Sequence, residues 1–410
     1  MKIWILNHYA ISPNFAGGTR HFDFAKELVN KGHEVTIFAS SFNHFSRTET
    51  INYETNSYFK VVNEQGVNFV WIKTPAYFNS IKRIINMLAF SFKLNSCLKH
   101  RLITEKPDLI IGSSVHPLTP LVGLRVAKMN SIPFYFEERD LWPQTFVDFG
   151  KMTKKNILFR ILLAIEKKLY RESDKIIFLF ENAYRYAEQF DVKKDKIIYL
   201  PNGFDSRRVD NEGYNEKLNE LLSQYLNKKL CVYVGSMGIA NDVDKLVLLA
   251  EKMKYDKDYH FLFFGDGPLK EQLIQDIRDK NIENITFFDP VPKNDVLYIL
   301  KQAHCGLLSI KNSPLYKWGM SMNKIYDYLS VGLPIITYTD LESLGEVEST
   351  GGIYKSSDID NLRELVININ TEEREKIKIK AFEKFSWKML TQNFLKELES
   401  TDFNEKRIGK

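Results

Sequence analysis

At 410 residues the chain is too long for one ordinary core, so two domains of about 200 residues each are the first expectation. Hydrophobic residues at 44% and charged residues at 27% exclude a disordered or fibrous chain, and a net charge of only +5 excludes the concentrated basic field of a dedicated nucleic-acid binder. No stretch reaches the ~18 uninterrupted apolar residues of a membrane-spanning helix, and Cys97, Cys231 and Cys305 are too scattered for a disulfide framework or metal cluster, so they read as core filler.

The chain opens with an apolar run (KIWILN), a glycine-bearing loop (PNFAGGTRH), an amphipathic segment (FDFAKELVNKG) and a second apolar run (HEVTIFAS). That order is a βαβ signature, and an opening strand rather than a signal peptide places the protein in the cytoplasm. Strand-like VNFVWIKT, PDLIIGSS, PFYFEERD and DKIIFLF follow, so one alternating α/β domain is expected over residues 1–200. YLPNGFDSRRVDNEGYNEKL holds a Pro-Asn-Gly turn and a polar tract, the pattern of a linker. Alternation restarts with LCVYVGS, YHFLFFGDG, ITFFDP, CGLLSI and LPIITYT, which predicts a second doubly wound domain over 201–387. The last helical stretch, FEKFSWKMLTQNFLKELES, leads into an expected C-terminal helix over 388–410 that crosses back onto the first domain.

Five segments could carry chemistry. Gly17 and Gly18 precede a helix, where close backbone approach and free N–H groups suit a phosphate, although a plain turn uses glycine too. His116 follows a strand at its carboxyl end, the place where open α/β sheets bind ligands, and is a candidate catalytic group. In FEERDLWPQTF, Glu137, Glu138, Arg139 and Asp140 crowd four charges beside Trp142 at the same sheet edge; they read as a ligand lining or as a solvated salt-bridge cluster. Gly265 and Gly267 end a strand and open a helix, which lets a flat base or ribose approach but also serves a simple turn.

The fifth segment, SPLYKWGMSMNKIYDYLSVGLPIITY, is the most specific. A strand leads into a loop holding Gly319, Met320 and Ser321, and a helix starts near Ser321 or Asn323 and ends at Gly332 to Pro334. Lys324 in its first turn opposes the helix dipole, so a structural purpose is hard to find, whereas an anionic diphosphate would explain both the lysine and the amide donors. One turn on, Asp327 could accept from a ribose hydroxyl.

At this segment the chain resembles the retaining nucleotide-sugar glycosyltransferases of family 4, which have the GT-B fold of two facing Rossmann-like domains with a cleft between them. Asp327, Tyr328, Leu329, Gly332 and Pro334 match the second half of the family pattern, while Gly319 stands where its first glutamate belongs. Gly17 and Gly18 match the family's phosphate loop, His116 its cleft histidine, Gly265 to Pro268 its base-side turn, Val291 its base-contacting loop and residues 385–387 its closing helix. Ser236 and Asn241 stand where an arginine and a lysine are usual, a loss that Lys324 would offset in part. ERDLWPQTF, VGSMGIAND and NKIYDYLSVGLP look most like the bacterial subgroup that assembles O-antigen and capsule, including N-acetylfucosamine transferases. The resemblance implies a UDP-linked amino sugar donor, an undecaprenyl-diphosphate-linked glycan acceptor, no metal or other cofactor, and a front-face displacement in which Lys324 and helix amides stabilise the leaving diphosphate.

YFNSIKRIINMLAFSFKLNSCLKHR interleaves basic residues with Phe78, Ile81, Ile84, Ile85, Leu88, Phe90 and Phe92 at helical spacing. Such a helix suits a lipid interface, which would hold the enzyme at the inner face of the cell membrane; an ordinary packed helix with a solvated edge fits the same pattern. Two rival functions share these features: a GT-B sugar-nucleotide epimerase, and a non-catalytic nucleotide-sugar-binding subunit.

Overall fold

The computed structural model describes residues 1–400 apart from 16, 45, 211–214, 226, 239, 240 and 312. Residues 211–214 of the expected linker and 401–410 of the expected C-terminal helix therefore lie outside the described residues. The chain forms two compact units: Met1–Pro201 with Lys317–Gly319 and the residues from Leu390 onward, and Asn202–Tyr316 with Met320–Met389. Among the described residues, no helix is long and apolar enough to cross a membrane.

The first unit runs β1 (Lys2–Leu6), α1 (Arg20–Asn30), β2 (Glu34–Ser40), β3 (Phe59–Glu64), β4 (Val67–Ile72), α2 (Ser80–Thr104), β5 (Leu109–Ser114) and α3 (Leu118–Met129). It continues with β6 (Phe134–Glu138), α4 (Gln144–Asp148), α5 (Ile157–Glu172), β7 (Lys175–Phe178), α6 (Ala183–Glu188) and β8 (Ile197–Tyr199). Its sheet has the order β3-β4-β2-β1-β5-β6-β7-β8. Every pairing is parallel except β3 with β4, a hairpin that the sequence reading did not anticipate. All six residues of β5 and all five of β6 are buried, as strands covered on both faces must be.

The second unit comprises α7 (Ser206–Asp210), α8 (Glu216–Ser223), β9 (Lys229–Val234), α9 (Asp244–Lys252), β10 (Tyr259–Phe264), α10 (Lys270–Asp279), β11 (Ile285–Phe288), α11 (Lys293–Gln302) and β12 (Cys305–Ser309). Then come α12 (Asn323–Ser330), β13 (Ile335–Tyr338), β14 (Ile353–Ser356), α13 (Ile359–Asn368) and α14 (Arg374–Phe385), after which α15 (Trp387–Ser400) begins. Its wholly parallel sheet is ordered β11-β10-β9-β12-β13-β14. Alternate residues of β9 enter two separate cores, Leu230 and Val232 in one, Cys231 and Tyr233 in the other, the two-residue period of a strand covered on both sides. Phe394 of α15 packs edge-on against Phe24 of α1 and Tyr135 of β6. All three cysteines are free and buried, in keeping with core filling.

Each sheet reverses its winding once, between β1 and β5 in the first unit and between β9 and β12 in the second. The loops leaving those strands open the crevice at which doubly wound sheets take ligands. His8 follows β1 and His116 follows β5; Gly235 and Ser236 follow β9, and the chain from β12 leads to Lys324.

Candidate functional site

At the first switch point two histidines meet. His8 Nδ1 lies 2.7 Å from His116 Nε2, so one ring donates to the other, while His116 Nδ1 is buried without a partner. Burial, with the nearby Arg83 charge, pulls His116 down to about 3, and His8 also lies well below the usual range, chiefly through burial. Both imidazoles are therefore neutral at physiological pH. His8 is stacked on Phe90 of α2, ring centroids 4.2 Å apart and 4° from parallel.

Next to this pair is a buried polar cluster. Arg20 donates through Nε and Nη2 to Glu137 Oε1 at 2.9 and 2.8 Å, and to the carbonyls of Leu200 and Pro201. His21 Nε2 meets the other Glu137 oxygen at 2.6 Å. Burial alone would raise the Glu137 carboxyl, but the Arg20 and His21 neighbours hold it well below the ordinary range. Arg139, whose backbone N–H donates to Ser114 Oγ, adds to the positive field on Glu137, and its Nε is buried without a partner.

At the second switch point the network closes around Lys324. Its ammonium donates to the Tyr233 hydroxyl at 2.9 Å and to Asn241 Oδ1 at 3.1 Å, and lies 4.4 Å from the Tyr233 ring centroid. Tyr233 and Asn241 in turn donate to the Ser236 carbonyl at 2.7 and 2.9 Å. Among the described residues no carboxylate pairs with Lys324, and burial lowers its pKa to about 7, so the full positive charge that the sequence suggests is only partial at neutral pH. A Cβ on Gly235 would stand 2.9 Å from the ammonium nitrogen. The α12 start, with Met322 at its N-cap position, has no side-chain cap, which leaves backbone donors for an anion. At its other end, Gly332 N–H and Leu333 N–H close on the carbonyls of Leu329 and Tyr328, the expected glycine stop.

Several expected ligand groups have other occupations. The Glu138 carboxyl is buried and accepts from Tyr170, with its pKa raised by burial, so it faces the interior instead of lining a ligand. Asp327 is held by Lys293 at 2.5 Å, and a ribose hydroxyl would have to share it. Met320 packs in the core of the second unit, because its side chain is apolar and buried there. Ser321 accepts from the Asn202 backbone N–H at 2.8 Å, which fixes the loop before α12. Gly265 and Gly267 are glycine because Cβ atoms there would lie 1.9 Å from the Gly235 carbonyl oxygen and 2.6 Å from the Met237 backbone. That close packing is a structural reason for both, and it places the loop after β10 against the loop after β9.

The remaining candidates sit as follows. Gly17 has φ 134° and Gly18 precedes Thr19 at the start of α1. Val291 packs beside the core before α11, Asn323 begins α12, and Gly319, φ 99°, lies in the first unit against the backbone of Glu181. Phe90, expected on a lipid-facing stripe, points inward to His8, whereas Phe78, Ile81, Ile84, Ile85, Leu88 and Phe92 are exposed. Sequence reasoning missed His8, Arg20, His21 and Tyr233, whereas Glu137 belongs to the charge cluster it singled out and is here the partner of Arg20 and His21; of the missed residues only His8, polar and just after a strand, carried a signal of the kind that exposed His116.

Two family models match, "Glycosyltransferase Family 4" over residues 17–208 and "Glycosyl transferases group 1" over residues 215–384. A curated relative, "Probable glycosyltransferase WbjE" of Pseudomonas aeruginosa, is 16% identical over 197 residues, 48% of each chain, so the match spans about half the length of that relative. Among solved structures, sucrose-phosphate synthase of Thermosynechococcus elongatus superposes with a TM-score of 0.73 at 13% identity, covering 97% of this chain and 98% of that one. Anabaena Alr3699/HepE in complex with UDP and glucose gives 0.65 at 14% identity, covering 98% and 100%. These likenesses establish the GT-B fold.

Proposed function

Because the chain belongs to the family 4 glycosyltransferases, enzymes that transfer a sugar from a nucleotide-sugar, we propose that its donor is a UDP-linked amino sugar such as UDP-N-acetylfucosamine. In this reading the acceptor is an undecaprenyl-diphosphate-linked glycan of O-antigen or capsular polysaccharide assembly. The match to WbjE, a probable glycosyltransferase, supports sugar transfer, and the UDP held by HepE supports a UDP-linked donor. Residues 1–200 with the C-terminal helix bind the acceptor, and 201–387 bind the donor.

One observation carries the reading: an ammonium without an acidic partner, held by neutral groups beside an uncapped helix start. A buried lysine in a low-dielectric setting costs free energy unless an anion joins it. A diphosphate is that anion. Ser236 and Asn241, which stand where a basic pair is usual, position Lys324 through a carbonyl and an amide, so the charge comes from α12 in place of the loop. As the bond between the sugar and the diphosphate breaks, Lys324 and the α12 amides stabilise the charge on the leaving oxygens, and the retained-face displacement needs no metal. Neutral His116 serves as a hydrogen-bond partner for the reacting sugar or acceptor hydroxyl.

The exposed stripe Ile81, Ile84, Ile85, Leu88 and Phe92 on α2 supports attachment to a lipid surface, where such an acceptor resides. The deciding experiment is a thermal-shift screen of UDP, GDP and UDP-sugars, since a ligand that binds only the folded state raises its apparent stability. UDP-amino sugars should raise the midpoint in wild type and not in Lys324→Ala. Stabilisation by GDP alone, or equal stabilisation of the variant, would refute the assignment.

A further inference from the structure

The inner face of α2 carries Arg83, Asn86, Phe90 and Leu94, opposite the apolar stripe on the same helix. Arg83 Nε–H donates to the Tyr9 hydroxyl at 3.1 Å, and the guanidinium lies 5.5 Å from the Tyr9 ring centroid. Among the described residues no carboxylate pairs with it, and its terminal nitrogens have no protein partner. Around it the rings form a column. Tyr9 stacks on His44 with ring centroids 4.9 Å apart and packs tilted by 31° against His8 at 4.4 Å, and His44 Nδ1 is 2.5 Å from the Tyr77 hydroxyl.

Burial is the main cause disfavouring protonation of His8, His44 and His116, and the field of Arg83 adds to it at each, with Arg47 contributing at His44. His116 leaves its Nδ1 buried and unpartnered in the same neighbourhood. Cationic, uncompensated and lined by hydrogen-bonding rings, the cluster lacks only an anion. A guanidinium fork with both terminal nitrogens open matches two oxygens of a phosphate.

We propose that Arg83 anchors the phosphate or diphosphate group of a lipid-linked acceptor beside His116. This inference rests on the glycosyltransferase reading above and adds a second anion site, separate from the one at Lys324.

The test titrates the full-length protein, saturated with UDP, with farnesyl diphosphate, inorganic pyrophosphate and farnesol, and measures sedimentation with phosphatidylglycerol vesicles. Farnesyl diphosphate and pyrophosphate should bind wild type and farnesol should not. Arg83→Gln should weaken farnesyl diphosphate roughly tenfold or more, the loss of a charge-assisted contact, with Arg83→Lys intermediate and UDP affinity unchanged within about twofold. A thermal transition and far-UV circular dichroism matching wild type report that the variant is folded. Three results would overturn the proposal: equal binding by Arg83→Gln, pyrophosphate binding abolished by Lys324→Gln, or a loss confined to phosphatidylglycerol vesicles. Failure of wild type to bind UDP would instead strike the donor assignment.

Discussion

Lys324 donates to the hydroxyl of Tyr233 while its ammonium also stands over the face of the same ring. The phenol can neutralise no charge, and burial brings the lysine pKa to about 7. A bound diphosphate favours the protonated form and raises that value, so above pH 7 the complex takes up a proton that the free protein lacks. UDP affinity should therefore fall as pH rises, by up to about tenfold per unit between the free and bound values. Lys324→Arg, always charged, should flatten the profile. Titration calorimetry between pH 6.5 and 9.5 reads this directly, and a flat wild-type profile rules the mechanism out. Lys324→Ala should lower turnover by something on the order of 10²-fold.

Gly235 controls the approach of that ammonium. At φ 154°, a Cβ would come within 2.9 Å of Lys324 Nζ and 3.3 Å of the Tyr233 hydroxyl. Gly235→Ala should displace Lys324 and cost about 1–3 kcal/mol of stability through backbone strain, with turnover falling alongside. Gly238→Ala, three residues on, meets only Ser236 Oγ at 3.5 Å and serves as the control. Comparable turnover and urea midpoints for the two variants would show that Gly235 has no such role.

The alternation of strands and helices and the helix that presents Lys324 were legible because parallel strands buried on both faces read as continuous apolar runs, and because glycine and proline end α12. The β3–β4 hairpin was not, since its two-residue turn places Gln65 and Gly66 at φ 52° and 90°, a conformation normally announced by asparagine or aspartate. At the site, glycine was read as a mark of ligand approach, yet at Gly265 and Gly267 the close neighbour is the β9 loop. Arg20 and Glu137 illustrate the larger gap: 117 positions separate them, and only the adjacency of β1, β5 and β6 brings them together.

That buried pair should dominate acid stability in the first unit. Glu137→Gln leaves Arg20 without its counter-charge, a change worth about 3–5 kcal/mol. Because the folded carboxyl is held well below its ordinary value, its contribution is present above about pH 4.3 and is lost as pH falls through the folded value. Glu138 has the opposite sign: burial raises it, so its contribution is present at low pH and is lost as pH climbs. Urea midpoints from pH 3 to 9 should show Glu137→Gln flattening the acid limb and Glu138→Gln flattening the alkaline one. Parallel curves for wild type and both variants would remove these groups from the balance.

The outer face of α2 tests the lipid attachment independently of chemistry. Ile81 and Phe92 are 73% and 76% exposed, with Ile84, Ile85 and Leu88 between them on one stripe. An aliphatic or aromatic side chain gains about 1.5–3 kcal/mol on full removal from water, and partial insertion of five gives several kcal/mol in total. A charge placed in that stripe reverses the gain locally. Ile85→Glu with Phe92→Glu should thus cut vesicle sedimentation by roughly tenfold or more, while UDP binding, assigned to residues of the second unit, stays unchanged. Arg83 is on the opposite face, so Arg83→Gln should leave sedimentation on neutral vesicles intact. If the double variant sediments like wild type, α2 is not the lipid-binding surface.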